Sequence, residues 1–332
     1  MCNNNNEEEY YQSMQENLND MEEALDNGVA TDADIEDFVN RMTIQTYDFN
    51  YCLDLPLYRA RFDNGFDNTD PHQFGYIHNL AAITRYRYNK AQEAVLYTAT
   101  EPSTAYKEIE NSRNGETHFY LSTWSHVAGT REFHTALNVN CVGLTRHTTA
   151  ERFYNILRDN VGPGTSKLYY LSSLGRILEK PGTDYRFSSI LASRIFQTHD
   201  ALITTSMKSN GSELNITFNQ SAADQLLELK WIYRCEVLAN QASVFHVSNV
   251  GIPNGGIIDW YNWLVDVNSI SLNGQTNMPV DIHVLRQAIQ TNAGITQSVL
   301  YPNVNKEPTG LHDGIVVYNG ENVRVRFRIQ LI

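Results

Sequence analysis

Apolar residues recur at helical spacing through the first fifty positions. Met14, Leu18, Met21 and Leu25 follow one another at intervals of four, three and four, which predicts an amphipathic helix that Gly28 can end. The polar run before it, Asn3 to Asn6 with Glu7 to Glu9, reads as a disordered tip. Thr31 with Asp34 three positions later has the form of an N-cap, and Ile35, Phe38, Val39 and Met42 give a second helix one apolar face. Residues 1–50 are therefore expected to form a helical hairpin. Its apolar faces either pack on its own domain or hold a partner or a second copy of the chain.

From about 55 to 240 the pattern is mixed. LYRARF (57–62) and VLYTAT (95–100) have strand character, whereas PSTAYKEI (102–109), TAERFYNILRDN (149–160) and SSILASRIFQ (188–197) have helical character. DALITTS (200–206) and SNGSELNITF (209–218) read as two strands joined at Asn210-Gly211, both residues tolerating positive φ. Strands and helices do not alternate regularly enough for a doubly wound sheet, so the expected class is α+β. Residues 241–332 form a mixed, β-rich extension. In it, turn signals at 253–256 and at Asn273-Gly274 flank GIIDWYNWLVDV, whose WYNWL core reads as packing. The segment IVVYNGENVRVRFRI is a hairpin about Asn319-Gly320, with Val323, Val325, Phe327 and Ile329 inward and Arg324, Arg326 and Arg328 outward.

With 332 residues, 42% of them hydrophobic and 11% aromatic, the chain can bury a substantial core. Its apolar runs are far shorter than the roughly 18 residues of a membrane helix, and its start lacks the basic-then-apolar order of a secretory signal, so a cytoplasmic protein without membrane contact is expected. Cys2, Cys52, Cys141 and Cys235 lie far apart with no Cys/His pairing, which suggests neither disulfides nor a metal site. The net charge of −13 is uneven. Residues 1–50 carry thirteen acids and one base, leaving −1 for the other 282 residues, a balance that gives no footprint for nucleic acid but allows local anion binding. GPGTSK (162–167) invites a phosphate-loop reading, but GxxxxGK[ST] is not satisfied, so it reads as an ordinary loop. His72 and His78 fit a loop better than a metal site.

Three blocks carry more chemistry. LYRARF supplies Arg59; TRYRYNKAQEAVLYTATEPSTAYKE supplies Arg87, Tyr97 and Glu108; DALITTS supplies Ser206. In the middle block Arg87-Tyr88-Asn89 is followed by Leu96-Tyr97-Thr98-Ala99 and by Thr104-Ala105-Tyr106-Lys107-Glu108. In the third, Asp200, Leu202, Ile203 and Ser206 precede the Asn-led strand Asn215-Ile216-Thr217-Phe218. In this order and spacing, over about residues 57–235, the chain resembles the RES family, whose members degrade NAD and often serve as toxins of bacterial toxin–antitoxin pairs. Tyr86 departs from the pattern, standing where that family usually has a glycine, and the segment between Arg59 and Arg87 is long.

The resemblance implies an ADP-ribosyltransferase-like core of two small sheets around an NAD cleft, NAD as substrate, and an antitoxin protein as partner. It implies a glycohydrolase or phosphorylase acting on the nicotinamide–ribose bond. The alternatives are an ADP-ribosyltransferase that modifies a macromolecule and a non-catalytic NAD- or partner-binding module. Arg59 and Arg87 suit a pyrophosphate because the guanidinium fork donates paired charge-assisted hydrogen bonds. Glu108 would stabilise the oxocarbenium-like ribose as nicotinamide departs, or deprotonate an incoming water or phosphate. Tyr97 offers a ring face to the nicotinamide. Ser206, with no His/Asp pair in the pattern, reads as a hydroxyl that binds ribose or amide and not as a nucleophile.

Overall fold

A computed structural model describes residues 4–42, 46–48, 56–112, 115–138, 148–178, 184–209, 211–237, 245–274, 279–291, 295–299 and 303–332. Cys2, Cys52, Cys141 and Asn210 lie outside these. The chain begins with α1 (Asn4–Asp26), α2 (Asp32–Arg41), β1 (Thr46–Asp48), β2 (Leu57–Phe62), β3 (Val95–Ala99), α3 (Pro102–Glu110), β4 (His118–His126) and β5 (His134–Asn138). It continues with α4 (Thr149–Val161), α5 (Ser166–Leu178), α6 (Arg186–Ile195), β6 (Ala201–Thr205), β7 (Leu214–Asn219), α7 (Gln220–Leu226) and β8 (Leu227–Val237). Then come β9 (Phe245–Asn254), β10 (Ile257–Tyr261), β11 (Trp263–Leu272), α8 (Ile282–Thr291), β12 (Ile295–Val299), β13 (Leu311–Tyr318) and β14 (Glu321–Leu331). The class is α+β. Two compact units result: Met1–Arg59 with His72–Glu108 and Trp124–Glu228, and Ala60–Pro71 with Ile109–Thr123 and Leu229–Ile332.

In the first unit the strands lie in the order β1-β5-β6-β7-β3, and Tyr58 of β2 pairs with Ala99 of β3. Only β5 and β6 run parallel among these pairs, and a parallel pair requires a long crossover, here supplied by the segment holding α4, α5 and α6. Strands β6 and β7 are almost entirely buried; β6 is aliphatic and threonine throughout, and β7 adds Phe218 and the asparagines Asn215 and Asn219.

The amino-terminal hairpin packs on its own unit, α1 against α5 and α2 against α6. Its first helix begins at Asn4, so the polar run expected to be a disordered tip is helical from that residue on. Two contacts explain why. Glu8 accepts the Ser166 backbone N–H at 2.9 Å and its hydroxyl, and Lys167 reaches Glu7 at 3.2 Å. A carboxylate thus occupies the N-terminus of α5, the place at which a phosphate would have to sit had GPGTSK been a phosphate loop. Helix α2 opens with a reciprocal capping box between Thr31 and Asp34.

The second unit holds the strand order β4-β8-β9-β10 and a separate sheet β11-β14-β13-β12. Strand β14 alternates as expected: Val323, Val325, Phe327 and Ile329 are buried with Ile270, Leu285 and Val316, while the three arginines face out. Arg326 bonds to Asp313 at 2.9 Å and Arg328 to the Thr309 carbonyl at 3.2 Å. The β13–β14 turn uses Asn319 at φ 50° and Gly320 at φ 83°, the pair of positive φ values that a two-residue hairpin needs.

Candidate active site

The site grows from one face of the first unit's sheet. Ala99 of β3 and Thr204 of β6 both pair with Asn215 of β7, and Tyr97 and Leu202 both pair with Thr217. Cross-strand partners point to the same side, so Tyr97, Asn215, Thr217 and Thr204 share a face. Ser206 follows β6 directly. Its backbone N–H donates to the Glu213 carbonyl at 2.8 Å and its side chain is fully buried.

Two residues separate β3 from helix α3, which has Pro102 in its first position, where the missing N–H costs no hydrogen bond. Near its other end Glu108 leans onto that face. Its Oε1 accepts from the Ser206 hydroxyl and from Asn215 Nδ2, each at 2.8 Å. Oε2 takes no hydrogen bond from the described residues. Because a carboxylate only accepts, the Asn215 amide must turn its nitrogen to Glu108. Among the described residues that choice leaves Asn215 Oδ1 buried without a donor, and the hydroxyls of Thr204 and Thr217 beside it are also buried and without a partner. A run of unsatisfied polar atoms next to a fixed carboxylate is unusual in a folded interior, where such groups nearly always find partners.

The loop before β3 is closed by its own residues. Tyr86 and Asn89 exchange backbone hydrogen bonds at 3.0 and 3.4 Å, and Asn89 Nδ2 donates to the carbonyls of Thr84 and Lys90 at 2.9 Å each. Tyr97 pins the loop from the sheet: its hydroxyl accepts the Tyr88 backbone N–H at 2.7 Å and donates to Asn89 Oδ1 at 3.3 Å. The Tyr97 ring keeps some exposure while its hydroxyl is enclosed, and burial pushes that hydroxyl's pKa well above its ordinary value. The ring stacks on Tyr88 at 5.9 Å and meets Tyr86 edge-on at 6.1 Å.

Arg87 stands at the tip of this loop, with its guanidinium carbon 5.9 Å from the centre of the Tyr185 ring. Burial works against its charge, yet the neighbouring Tyr88, Glu108 and Tyr185 hold its pKa above the ordinary arginine value. Arg59, on β2, donates to the Tyr97 carbonyl at 3.2 Å. Glu108, Ser206 and Asn215 are thus in direct contact, Arg87 is coupled to Glu108 by its field, and Arg59 joins through the Tyr97 backbone.

Three side chains escaped the sequence reading. Asn215 was visible only as the head of its strand, although its alternation with Thr217 would have put it on the face next to Ser206. Tyr86 stood out only as a departure from a pattern; it is 54% exposed and packs on Tyr185 at 5.2 Å, so these two rings form the open part of the aromatic wall. Nothing in the sequence pointed to Tyr185.

Beyond Ser206 lie two more carboxylates. Glu213 and Glu101 both have raised pKa values, from burial first, with the charge of Glu213 raising Glu101 further. Among the described residues no cluster of three His, Cys, Asp or Glu could hold a metal ion. Chemically, the arrangement offers the Arg87 guanidinium for an anion, an aromatic wall for a planar ring, and an oriented carboxylate at which positive charge could develop.

No family model matches the chain, and no curated protein matches it. Among solved structures it is similar to the crystal structure of the M. tuberculosis MbcT–MbcA toxin–antitoxin complex, at 9% identity and a TM-score of 0.28, over 60% of this chain and 91% of that one. At that TM-score the likeness carries no weight for the fold or for the chemistry of the site.

Proposed function

We propose that the protein is an NAD-consuming enzyme that breaks the nicotinamide–ribose bond, with water or phosphate as acceptor. The observation that carries this reading is the Glu108 carboxylate, held through one oxygen by Ser206 and Asn215 and within the field of Arg87. The order of the three RES-like sequence blocks supports it. The proposal includes an ADP-ribosyltransferase-like core and, from the same resemblance, a role as a bacterial toxin restrained by an antitoxin.

Arg59 and Arg87 would hold the pyrophosphate, and the rings of Tyr86, Tyr97 and Tyr185 would face the nicotinamide. As the C–N bond lengthens, its electron pair moves to the ring nitrogen. Nicotinamide then leaves neutral, so no acid is needed to protonate it. The ribose is left with cationic character, which Glu108 stabilises more than it stabilises the ground state. Oε2, the oxygen not engaged by Ser206 and Asn215, is the one available to take the proton of the incoming water or phosphate as the new C–O bond forms. Ser206 in this scheme orients Glu108 and is not a nucleophile.

The test is incubation of purified protein with NAD in the presence and absence of phosphate, with products followed by mass. Nicotinamide with ADP-ribose identifies a hydrolase, and a phosphorylated ADP-ribose a phosphorylase. Label from NAD appearing on a macromolecule would replace the proposal with ADP-ribosyl transfer. No loss of NAD in any arm would favour a binding module.

A further inference from the structure

The acidic hairpin invites the view that it is an appendage awaiting a partner, but several of its carboxylates are engaged within its own unit. Glu22 forms a two-pronged pair with Arg176, and Glu7 and Glu8 bind the start of α5. More telling is where α2 points. Ile35, Phe38 and Val39 are buried, with Phe38 against Phe187 of α6 at 6.1 Å, and the capping box fixes the first turn. Asp32 is therefore presented from a rigid support.

Asp32 receives both terminal nitrogens of Arg85, at 2.7 and 3.4 Å, and Arg85 immediately precedes Tyr86 and Arg87. On the far side of the same loop Lys90 reaches Glu36 of α2 at 2.9 Å. The second arm of the aromatic wall is tied to the same place: Arg186 donates to the Ala30 carbonyl at 2.6 Å and to Asp184, so the residues flanking Tyr185 on both sides belong to this network. The Asp32 carboxyl lies below its ordinary range, chiefly through Arg85, with Arg186 adding to the effect and Asp184 opposing it. Exposed ion pairs of this kind add little global stability. What they can do is fix two loops against each other.

We infer that the hairpin is a positioning element of the site: Asp32 and Glu36 of α2, with the Ala30 carbonyl in the turn before it, set the Tyr86–Arg87 loop and the Tyr185 segment in the relation that forms the aromatic and cationic wall. The consequence for catalysis rests on the NAD reading; the consequence for loop order does not.

The experiment compares wild type, Asp32→Asn and Asp32→Glu in the full chain by melting temperature, by hydrogen exchange of residues 84–90 and 184–186, and by KM and kcat for NAD. Asp32→Asn should leave the melting temperature within about 2 °C of wild type. Exchange should rise severalfold in both segments, and KM should rise severalfold with a smaller change in kcat. Asp32→Glu should recover part of both effects, and 0.5 M salt should loosen wild type toward the variant while changing the variant little. Wild-type exchange in both segments, or a rise spread evenly over the unit with a large fall in melting temperature, would overturn the inference. If wild type leaves NAD intact, the catalytic reading fails while the exchange data still decide whether α2 positions the loops.

Discussion

Replacing Ser206 with alanine removes one of the two donors to Glu108 Oε1 and leaves Asn215 as the remaining anchor. A hydrogen bond to a charged group contributes about 1.5–3 kcal/mol, equivalent to roughly a 10- to 150-fold change in rate if all of it acts in the transition state. Because Ser206 is fully buried and Glu108 is its hydroxyl's partner, the account has Ser206 acting through Glu108 alone. Ser206→Ala should therefore lower kcat for nicotinamide release by about ten- to a hundredfold with little change in KM. Glu108→Gln, which removes the carboxylate, should lower it by on the order of a hundred- to a thousandfold. The decisive variant is the double one: its activity should be no lower than that of Glu108→Gln, because the hydroxyl then has no carboxylate to orient. Steady-state release of nicotinamide by all four proteins, each with a native circular dichroism spectrum, provides the cycle. If the losses multiply, Ser206 has a role independent of Glu108 and the assignment of an orienting hydroxyl is refuted.

Arg87→Lys keeps the charge but loses the fork and the contact with Tyr185, so KM for NAD should rise by about tenfold in steady-state kinetics; an unchanged KM would remove Arg87 from the binding set. Thr217→Val deletes a buried hydroxyl that has no partner among the described residues, a group costing about 1–3 kcal/mol when unsatisfied, so calorimetry should show a higher melting temperature, and a fall would mean that the hydroxyl is bonded after all. For Glu213 the folded-state pKa lies above the unfolded value near 4.5, so the native state holds its proton more tightly and stability falls as pH rises through that window. Glu213→Gln should accordingly flatten the descent of the urea midpoint above about pH 4.5 relative to wild type, with the gain growing as the pH rises; parallel pH curves would contradict the sign.

Local features of the fold were legible in the residues. The capping box of α2, the alternation of β14 and the turn at Asn319-Gly320 follow from rules acting within a few positions, and each is present. Long-range pairings were not legible. The start of α1 was misread because its order comes from Ser166 and Lys167, about 160 residues away. The second unit draws residues 60–71 and 109–123 together with 229–332, a gathering that no local pattern announces. In the site, Glu108 and Ser206 were recognisable by their place in the blocks, whereas Asn215 needed the strand register and Tyr185 needed the tertiary fold. Asn89 shows the boundary between the two: it belongs to a legible motif, but only the structure shows that its amide closes the loop that holds Arg87.

The most direct test of the central claim is nicotinamide release from NAD by wild type and by Glu108→Gln at equal concentration, followed by chromatography. The account predicts release by wild type and its near-complete loss in the folded variant. Equal release by both proteins, or none by well-folded wild type, would contradict it.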